Sequence, residues 1–353
     1  MNKILYVPTL NLGVIYWRVE NYAQALLNKS KKCSVHVEYF DLNENNVSWD
    51  KSIGESEELQ EKLNSAFKSF DTIIFQKIQN IEGLDFLKKC MRRHPSVDVI
   101  LEIDDSIGEV SGSNPHNFTN QHSIAAEHAC ISHAIIASTK YLANSIKKIV
   151  GDDKPIHISP NCINHKIWKS KGILNDTGEI RIGYVGGYSH DEDLLVSYKA
   201  MIEIFKKRKD IKFVIRYGGY KPEYMEDHDQ IDFKQVAWHP SIYDKKLEEM
   251  KIDIGLAPLR DTEFNRCKSN IKCLEWAALG IPTICSDVEP YKENILKSYK
   301  VSNIKSKWEE EILLQCDRLE IIRKEKKDIR LNSRKYFNID KECDKLLEFL
   351  DKY

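Results

Sequence analysis

A polar segment between two apolar runs carries side chains whose types and spacing suit anion binding. The runs Ile252–Leu256 and Thr283–Cys285 each predict a short buried strand. Between them the sequence predicts a helix that opens near Lys268. A helix start presents unpaired backbone amides, so Ser269 and Asn270 lie where phosphate oxygens would bind beside the Lys268 cation.

Three charged side chains share one face of this predicted helix. Lys268, Lys272 and Glu275 are four and three residues apart, which places them on the same side. A cation at the helix start and a carboxylate further along suit a diphosphate followed by a ribose diol, as a nucleotide sugar presents. Solvated helix faces show the same pattern. Binding is favoured because the helix follows a long loop at the carboxyl end of a strand, where open α/β sheets bind ligands.

A glycine-rich turn follows another predicted strand, Ile180–Val185. Gly186 and Gly187 let the backbone approach a bound phosphate, and His190 would add a hydrogen-bond donor. Taken alone, this turn is equally typical of an ordinary connection between a strand and a helix.

Two adjacent carboxylates, Asp104 and Asp105, end the predicted buried strand Val97–Ile103. In a catalytic site they would orient or deprotonate an acceptor hydroxyl. A helix cap or a loop salt bridge is the structural alternative. The pair lacks the intervening residue of an Asp-x-Asp metal motif, so no catalytic metal is expected.

Strand-like and helix-like segments alternate along nearly the whole chain, which is typical of parallel sheets covered by helices. We predict an α/β fold with two doubly wound, Rossmann-like domains that face a cleft. The sheet signal stops after Tyr299, and three helical runs follow. The predicted bounds are 1–165 for the N-terminal domain, 166–179 for a linker, 180–336 for the C-terminal domain and 337–353 for a tail helix.

Composition agrees with a two-domain protein of the cytoplasm. The 353 residues are too many for one ordinary core, and 42% are hydrophobic and 30% charged. A net charge of −1 gives no global field to attract nucleic acid. Nine cysteines without Cys-x-x-Cys spacing predict free thiols in a reducing compartment, and the histidines show no metal-ligand spacing. No signal peptide or membrane span is predicted.

The order and spacing of these motifs resemble the GT-B glycosyltransferases, in particular the retaining glycosyltransferase family 4 group. The resemblance covers about residues 1–340 and is most specific over 180–291. The matching stretches are Asp253–Leu259, Phe264–Ser269, Lys272–Glu275, Ala277–Pro282 and Ser286–Tyr291.

The resemblance implies a retaining, metal-independent transfer of a sugar from a UDP- or GDP-linked donor to a hydroxyl acceptor, without a cofactor. The N-terminal domain would bind the acceptor, and the tail helix would cross back onto it. Gly13 and Arg18 would face the cleft, and Asp104 and Asp105 stand where many members carry a histidine. The donor residues implied for the C-terminal domain are Gly186, Gly187, His190, His239, Lys268, Ser269, Asn270, Lys272 and Glu275.

One position departs from the family pattern. Family 4 enzymes usually show Glu-x7-Glu; Glu275 matches the second glutamate, but Cys267 occupies the first position. A UDP-sugar epimerase on the same fold and a non-catalytic scaffold subunit therefore stay as alternatives.

The acceptor classes left open are a glycan, a lipid-linked saccharide, a protein and a modified DNA base, with polysaccharide biosynthesis as the expected setting. With a lipid-linked acceptor, the basic runs Arg323–Arg330 and Lys88–Arg93 would lean on the inner face of a membrane. Both runs are more typical of structural roles: Arg323–Arg330 of a solvated helix face, and Lys88–Arg93 of a helix C-terminus, where cations are favourable.

Overall fold

The computed structural model of the protein describes residues 2–8, 16–30, 35–39, 57–78, 80–107, 119–166, 168–292 and 296–353. The chain forms two compact units. Unit 1 comprises Met1–Asn164, Cys267–Ser269 and Ile339–Tyr353, and unit 2 comprises His165–Arg266 and Asn270–Asn338.

Unit 1 is built on a parallel six-stranded sheet in the order β2-β1-β3-β4-β5-β6. Its strands are β1 (Asn2–Val7), β2 (Val35–Tyr39), β3 (Thr72–Gln76), β4 (Asp98–Ile103), β5 (Ala134–Ala137) and β6 (Ile156–Ile158). A π-helical turn (Tyr16–Glu20) leads into α1 (Asn21–Ser30), and the helices that follow are α2 (Glu57–Ser69), α3 (Ile81–Arg93), α4 (Thr119–Ile131) and α5 (Lys140–Val150).

A capping threonine and a glycine define the two ends of α5. The Thr139 hydroxyl accepts a hydrogen bond from the Leu142 amide at 3.1 Å and thereby caps α5. The helix buries Leu142 and Ile146 against the sheet and stops at Gly151, whose φ of 88° few other residues adopt.

Unit 2 is a second parallel sheet, in the order β12-β11-β10-β7-β8-β9. Its strands are β7 (Ile180–Gly187), β8 (Ile211–Gly218), β9 (Ile231–Gln235), β10 (Ile254–Ala257), β11 (Thr283–Ser286) and β12 (Ser298–Val301). Its helices are α6 (Asp191–Lys207), α7 (Pro240–Glu249), α8 (Glu263–Cys267), α9 (Ile271–Ala278), α10 (Lys305–Asp317) and α11 (Leu319–Tyr336). The winding of the sheet reverses between β7 and β10, and α/β sheets bind ligands outside the carboxyl ends of the strands at such a point.

A close packing contact fixes α9 on this sheet. A Cβ added at Gly255 in β10 would lie 2.4 Å from Cδ1 of Trp276, so only glycine leaves room for the indole. Trp276 is buried, as are Leu274 and Ala277 on the same short helix. The apolar half of α9 therefore sets where its polar side chains, Lys272 and Glu275, can lie.

The last helix, α12 (Ile339–Leu350), belongs to unit 1. Its Asp344 forms an ion pair with Lys29 of α1, and the ring of Phe349 stacks on His157 with centroids 5.0 Å apart. The apolar face of α12 includes Leu346 and Leu350, which are both buried.

The predicted α/β class with two parallel, helix-covered sheets is confirmed. The alternating sequence pattern does not predict α4 or α7, because their residues show no clear apolar face. It also does not predict the edge strand β12, because the strand-like pattern is expected to end there. Residues 166–179, predicted as a linker, fall within unit 2. The amides of Lys169 and Ser170 donate to the Asp244 carboxylate at 2.9 and 3.0 Å.

Part of the predicted basic surface is occupied by internal contacts. In α11, Arg323 forms an ion pair with the buried Asp253 at 3.2 Å, and Arg330 donates to the Lys171 carbonyl at 2.7 Å. In α3, Lys88 pairs with Glu127 at 2.6 Å. These cations therefore contribute to folding contacts rather than forming a uniform, unpaired basic face.

Two glycines with similar backbone angles allow a stability test of unit 2. Gly280 (φ 74°) has no room for a Cβ, which would lie 2.4 Å from the Lys326 carbonyl oxygen, whereas Gly178 (φ 82°) has open space. Gly178→Ala should cost about 1–2 kcal/mol through φ alone, and Gly280→Ala about 1–3 kcal/mol more through the clash. Urea unfolding of both variants would measure this difference, and equal losses would contradict the packing argument.

Candidate functional site

A buried carboxylate, Asp193, organises the switch point of unit 2. One of its oxygens accepts hydrogen bonds from the Arg260 amide (2.8 Å) and the Asn265 side chain (3.0 Å). The other oxygen lies 2.8 Å from Nδ1 of His190. Asp193 stands in the first turn of α6, and Arg260 and Asn265 follow β10, so the carboxylate joins the two segments that leave β7 and β10.

The electrostatics of this network favour an ionised Asp193. Burial alone would raise the pKa of Asp193, but the hydrogen bond and charge of His190, the Arg260 amide and the Lys272 cation lower it below its usual value. Asp193 is therefore a fixed negative charge that holds positive side chains around the loop. An anionic ligand at this point would meet His190 and Lys272.

The glycine turn ends β7 beside this network. Gly187 pairs with Gly218 of β8, and a Cβ at Gly187 would lie 3.0 Å from the Gly218 carbonyl oxygen. A Cβ at Gly186 would lie 2.4 Å from the buried Tyr184 hydroxyl. Both glycines are thus required for packing, which also keeps the backbone of the turn free of side chains.

The polar face of α9 comprises Lys272 and Glu275. The Glu275 side chain is mostly buried, and Lys272 on the same helix and Tyr243 of α7 both influence its charge. Burial raises the pKa of Glu275 to about 7, although the Lys272 cation and the nearby Tyr243 hydroxyl lower it. A buried carboxylate beside one hydroxyl is chemically suited to accept further hydroxyl donors, such as those of a ribose.

The prediction that the helix opens near Lys268 is wrong. α9 begins at Ile271, with Asn270 as its N-terminal cap residue, and Cys267–Ser269 groups with unit 1. The Ser269 hydroxyl accepts a hydrogen bond from the Asn161 side chain at 2.7 Å, which draws this segment away from the helix. The common face therefore holds for Lys272 and Glu275 and not for Lys268.

Lys268 instead contacts the predicted carboxylate pair. Its Nζ lies 3.4 Å from Asp105, and both side chains are partly exposed. Asp104 is half-buried directly after β4. Burial raises the pKa of Asp104 to about 6, the Asp105 charge raises it as well, and Lys77, Arg18 and Lys268 lower it. A carboxylate with a pKa closer to neutrality is a better proton acceptor than an exposed aspartate.

A buried ion pair supports the end of β4. Arg18 donates through Nε to Glu102 at 2.6 Å and through Nη1 to the Ser159 carbonyl (2.7 Å) and the Asn161 side chain (3.1 Å). Arg18 is 1% exposed, so it is placed to orient neighbouring groups rather than to contact a ligand directly. The Asn161 side chain in turn donates a hydrogen bond to the Ser269 hydroxyl, so the ion pair also restrains the position of Ser269.

Burial has opposite effects on the two partners of this ion pair. It raises the pKa of Glu102 to about 7 despite the Arg18 guanidinium. For Arg18 burial alone would lower the pKa, but the Glu102 charge raises it above its ordinary value. The arginine therefore carries its charge at all relevant pH values.

Cys267, His239 and Gly13, three further positions singled out in the sequence, lie outside these networks or outside the described residues. Cys267 is fully buried among Leu101, Ile103 and their neighbours in the core of unit 1, so no polar side chain occupies the first position of Glu-x7-Glu. His239 is exposed and caps α7, accepting a hydrogen bond from the Ser241 amide. Gly13 lies outside the described residues.

Several residues in these networks are not predicted from the sequence. These are Asp193, Arg260, Asn265, Glu102 and Asn161. A signal existed for two of them, because Asn265 lies in the matching stretch Phe264–Ser269 and Asp193 lies three residues after His190. The others are joined by long-range contacts that no local pattern shows.

Within the described part of the chain, no group of three or more His, Cys, Asp or Glu side chains is arranged to hold a metal ion. Among the same residues, no helix combines the length and apolar character needed to cross a membrane.

No protein-family model matches the sequence, and no curated protein is significantly similar to it. Solved structures do match. HepE from Anabaena in complex with UDP-glucose has a TM-score of 0.68 at 10% identity over 100% of both chains. Sucrose-phosphate synthase from Thermosynechococcus elongatus has 0.68 at 12% identity, covering 100% of this chain and 99% of its own.

A third match is a UDP-forming α,α-trehalose-phosphate synthase from Burkholderia xenovorans. It has a TM-score of 0.65 at 12% identity and covers 99% of this chain and 98% of its own. At such identities the likeness establishes the fold alone, which is the GT-B fold expected from the sequence motifs. Membership of family 4 in particular stays an expectation.

The buried Arg18–Glu102 pair predicts a non-additive pair of substitutions. Arg18→Met leaves the Glu102 carboxylate buried without its cation and should destabilise unit 1 by about 3–5 kcal/mol. Arg18→Met combined with Glu102→Gln removes both charges and should cost less than the sum of the single changes. Urea unfolding at pH 8, where Glu102 is mostly ionised, would measure this coupling. Additive losses would show that the two side chains do not depend on each other.

Proposed function

We propose that this chain is a glycosyltransferase that moves a sugar from a UDP-linked donor to a hydroxyl acceptor. The observation that carries the proposal is the network of His190, Asp193 and Lys272 at the carboxyl ends of β7 and β10, with Glu275 further along α9. The fold likeness to HepE, which has been crystallised with UDP and with UDP-glucose, supports the choice of nucleotide.

Each part of the donor has a proposed counterpart in unit 2. The diphosphate would lie against the Gly186–Gly187 backbone and the start of α9 at Asn270, with Lys272 and His190 as its positive neighbours. The ribose hydroxyls would donate to the Glu275 carboxylate. The exposed His239 at the start of α7 is assigned to the neighbourhood of the base.

Transfer breaks the bond between the anomeric carbon and the diphosphate oxygen, and the bonding electrons leave with UDP. Positive groups that are already in position stabilise this developing charge without further reorganisation. We assign this role to Lys272 and His190, and we therefore propose that the transfer is metal-independent.

Unit 1 supplies the proposed acceptor chemistry. Asp104 or Asp105 would accept a hydrogen bond from the acceptor hydroxyl and orient it as its oxygen bonds to the anomeric carbon. Arg18 and Glu102 would act indirectly, by holding the end of β4. The acceptor is proposed to be a glycan or glycoconjugate.

The stereochemical proposal is retention. The acceptor would attack from the face that the diphosphate leaves, and the departing phosphate would take the acceptor proton with help from the carboxylates. This route needs no covalent bond between the sugar and a protein side chain, and it is compatible with an apolar Cys267 at the position of the missing glutamate.

Product analysis tests the whole assignment. The protein would be incubated with UDP-glucose and related UDP- and GDP-sugars, with and without a panel of glycan, lipid-linked, peptide and DNA acceptors. Release of UDP that depends on one acceptor, with an α-linked product from an α-linked donor, would support transfer with retention. Donor isomerisation without acceptor would identify an epimerase, and binding without turnover a scaffold. Loss of activity with EDTA would refute the metal-independent mechanism alone.

The role of Lys268 can be separated from that of an ordinary surface lysine. If its ammonium contacts a phosphate oxygen, Lys268→Ala should weaken UDP binding by about 1.5–3 kcal/mol. Lys199→Ala, at an exposed position on α6, is the control and should bind UDP as the wild type does. Calorimetric titration measures both, and unchanged affinity in Lys268→Ala would remove this residue from the donor site.

The role of Asp104 predicts a pH dependence. Its carboxylate acts in the ionised form, so turnover should fall as the pH drops through about 6, the pKa of Asp104, and level off above it. Asp104→Asn should bind UDP normally but turn over roughly a hundredfold more slowly, without this acidic limb. Asp152→Asn, an exposed aspartate after α5, is the control. Wild-type rates in Asp104→Asn would show that Asp104 is structural, leaving Asp105 as the candidate.

A further inference from the structure

Two neighbouring hydroxyl side chains after β5 donate hydrogen bonds to the backbones of two different segments of unit 1. The Ser138 hydroxyl donates to the Asp104 carbonyl oxygen at 3.3 Å. The Thr139 hydroxyl donates to the Cys267 carbonyl oxygen at 3.1 Å. One dipeptide therefore restrains both the segment that follows β4 and the distant segment Cys267–Ser269.

These two segments carry the partners of an ion pair. Asp105 follows Asp104 directly, and Lys268 follows Cys267. The Lys268 ammonium lies 3.4 Å from the Asp105 carboxylate, and the two side chains are 19% and 32% exposed. The distance between this cation and this carboxylate thus depends on two backbones that are held from the end of β5.

The lysine segment is anchored on both sides of Lys268. The Cys267 side chain is fully buried in the apolar core beside Leu101. The Ser269 hydroxyl accepts a hydrogen bond from the Asn161 side chain at 2.7 Å. The part of this segment that keeps its freedom is therefore the flexible stem of the lysine itself.

The orientation of the Asn161 amide is set by its other neighbour. An arginine side chain has only donors, so the Asn161 oxygen faces the Arg18 guanidinium, at 3.1 Å. The Asn161 nitrogen then faces Ser269 and donates to its hydroxyl. This hydrogen bond supports the lysine segment from the side opposite to Thr139 along the chain.

Several charged groups of unit 1 act on the Asp104 carboxylate. They are Asp105, Glu102, Lys77, Arg18 and Lys268. Burial and the Asp105 charge raise the pKa of Asp104, and the three cations lower it. Lys77 and Arg18 follow β3 and β1 in the chain, so Lys268 is the cation whose backbone the Thr139 hydroxyl restrains.

We propose that Ser138 and Thr139 are positioning residues, which hold Lys268 against Asp105 so that the Asp104–Asp105 pair stays ionised and accepts the hydrogen bond of an acceptor hydroxyl. The inference rests on the proposed function, because it takes this pair to act on the acceptor. Neither Ser138 nor Thr139 contacts a substrate in this arrangement. Their effect passes through the distance between the cation and the carboxylates.

The titration of the two aspartates tests the inference without any substrate. The protein would be labelled with ¹³C at its aspartate carboxyl carbons, and NMR signals would be assigned by their loss in Asp104→Asn and Asp105→Asn. Because adjacent carboxylates interact, the midpoint describes the pair. Lys268→Met removes the cation and should move the midpoint to higher pH by about half a pH unit.

The hydroxyls should act only through this cation. Thr139→Val should move the midpoint in the same direction as Lys268→Met but by less, because the ammonium stays in the protein at a larger average distance. In the Lys268→Met background, Thr139→Val should cause no further shift. A shift of the same size in both backgrounds would show that Thr139 does not act through Lys268 and would overturn the inference.

Two control variants separate positioning from helix stability. The Thr139 hydroxyl also caps α5, so Thr139→Val weakens this helix. Asn80 caps α3 by accepting a hydrogen bond from the Gly83 amide at 2.8 Å, and Asn80→Ala should leave the midpoint unchanged. Thr139→Ser keeps the hydroxyl and should titrate as the wild type does. An Asn80→Ala shift equal to that of Thr139→Val would contradict the positioning role.

Ser138→Ala removes the other hydrogen bond and covers the case in which Thr139→Val does not fold. It frees the Asp104 carbonyl and should also move the midpoint to higher pH. An unchanged midpoint in every folded variant of this pair would refute the positioning role. An unchanged midpoint in Lys268→Met would remove the cation from the argument altogether.

Turnover connects the titration to the proposed function. The acidic limb of acceptor-dependent transfer should move to higher pH in Thr139→Val by the same amount as the NMR midpoint, with UDP affinity unchanged. A limb that stays in place while the midpoint moves would contradict the role in acceptor binding. A protein that transfers sugar to no acceptor would overturn the proposed function, while the titrations would still decide whether Ser138 and Thr139 position Lys268.

Discussion

The arrangement of unit 2 depends on one buried negative charge. Asp193 is cut off from water, so its charge must be compensated by hydrogen bonds and cations from the protein. It obtains them from His190 in the turn after β7 and from Arg260 and Asn265 after β10. The need to satisfy this carboxylate therefore draws together two loops that the sheet topology only brings close. The positive side chains around it are among those that we propose to bind the donor diphosphate.

Unit 1 also contains a buried carboxylate, and there a buried arginine compensates its charge. Arg18 brings a buried cation to Glu102 and uses its remaining donors on the Ser159 carbonyl and Asn161. Such a pair contributes little net stability, because both ions lose their hydration. Its effect is geometric, since it fixes the end of β4 and, through Asn161, the position of Ser269. The Arg18–Glu102 pair therefore also restrains the backbone that carries Asp104 and Asp105.

The fold was largely predictable because strands and helices depend on local patterns. Apolar runs such as Thr72–Gln76 and amphipathic stretches such as Lys140–Val150 carry their structure in their spacing. The site was only partly predictable. Arg18 and Glu102 are 84 residues apart, and Asn265 and Asp193 are 72 apart, so no periodicity links the partners. The prediction that α9 begins near Lys268 was wrong for the same reason. The contact that holds this segment comes from Asn161, which is far away in the sequence.

The chain crosses from one unit to the other four times, since Cys267–Ser269 and Ile339–Tyr353 return to unit 1. Cys267 fills part of the apolar core beside Leu101 and Ile103, and α12 covers α1. Neither unit is therefore a continuous stretch of sequence. Recombination that exchanged residues 165–338 as a cassette would also replace Cys267–Ser269 of unit 1, including the buried Cys267 of the recipient's own core. A change in what unit 2 binds is then expected to come from substitutions within the unit rather than from exchange of the whole unit.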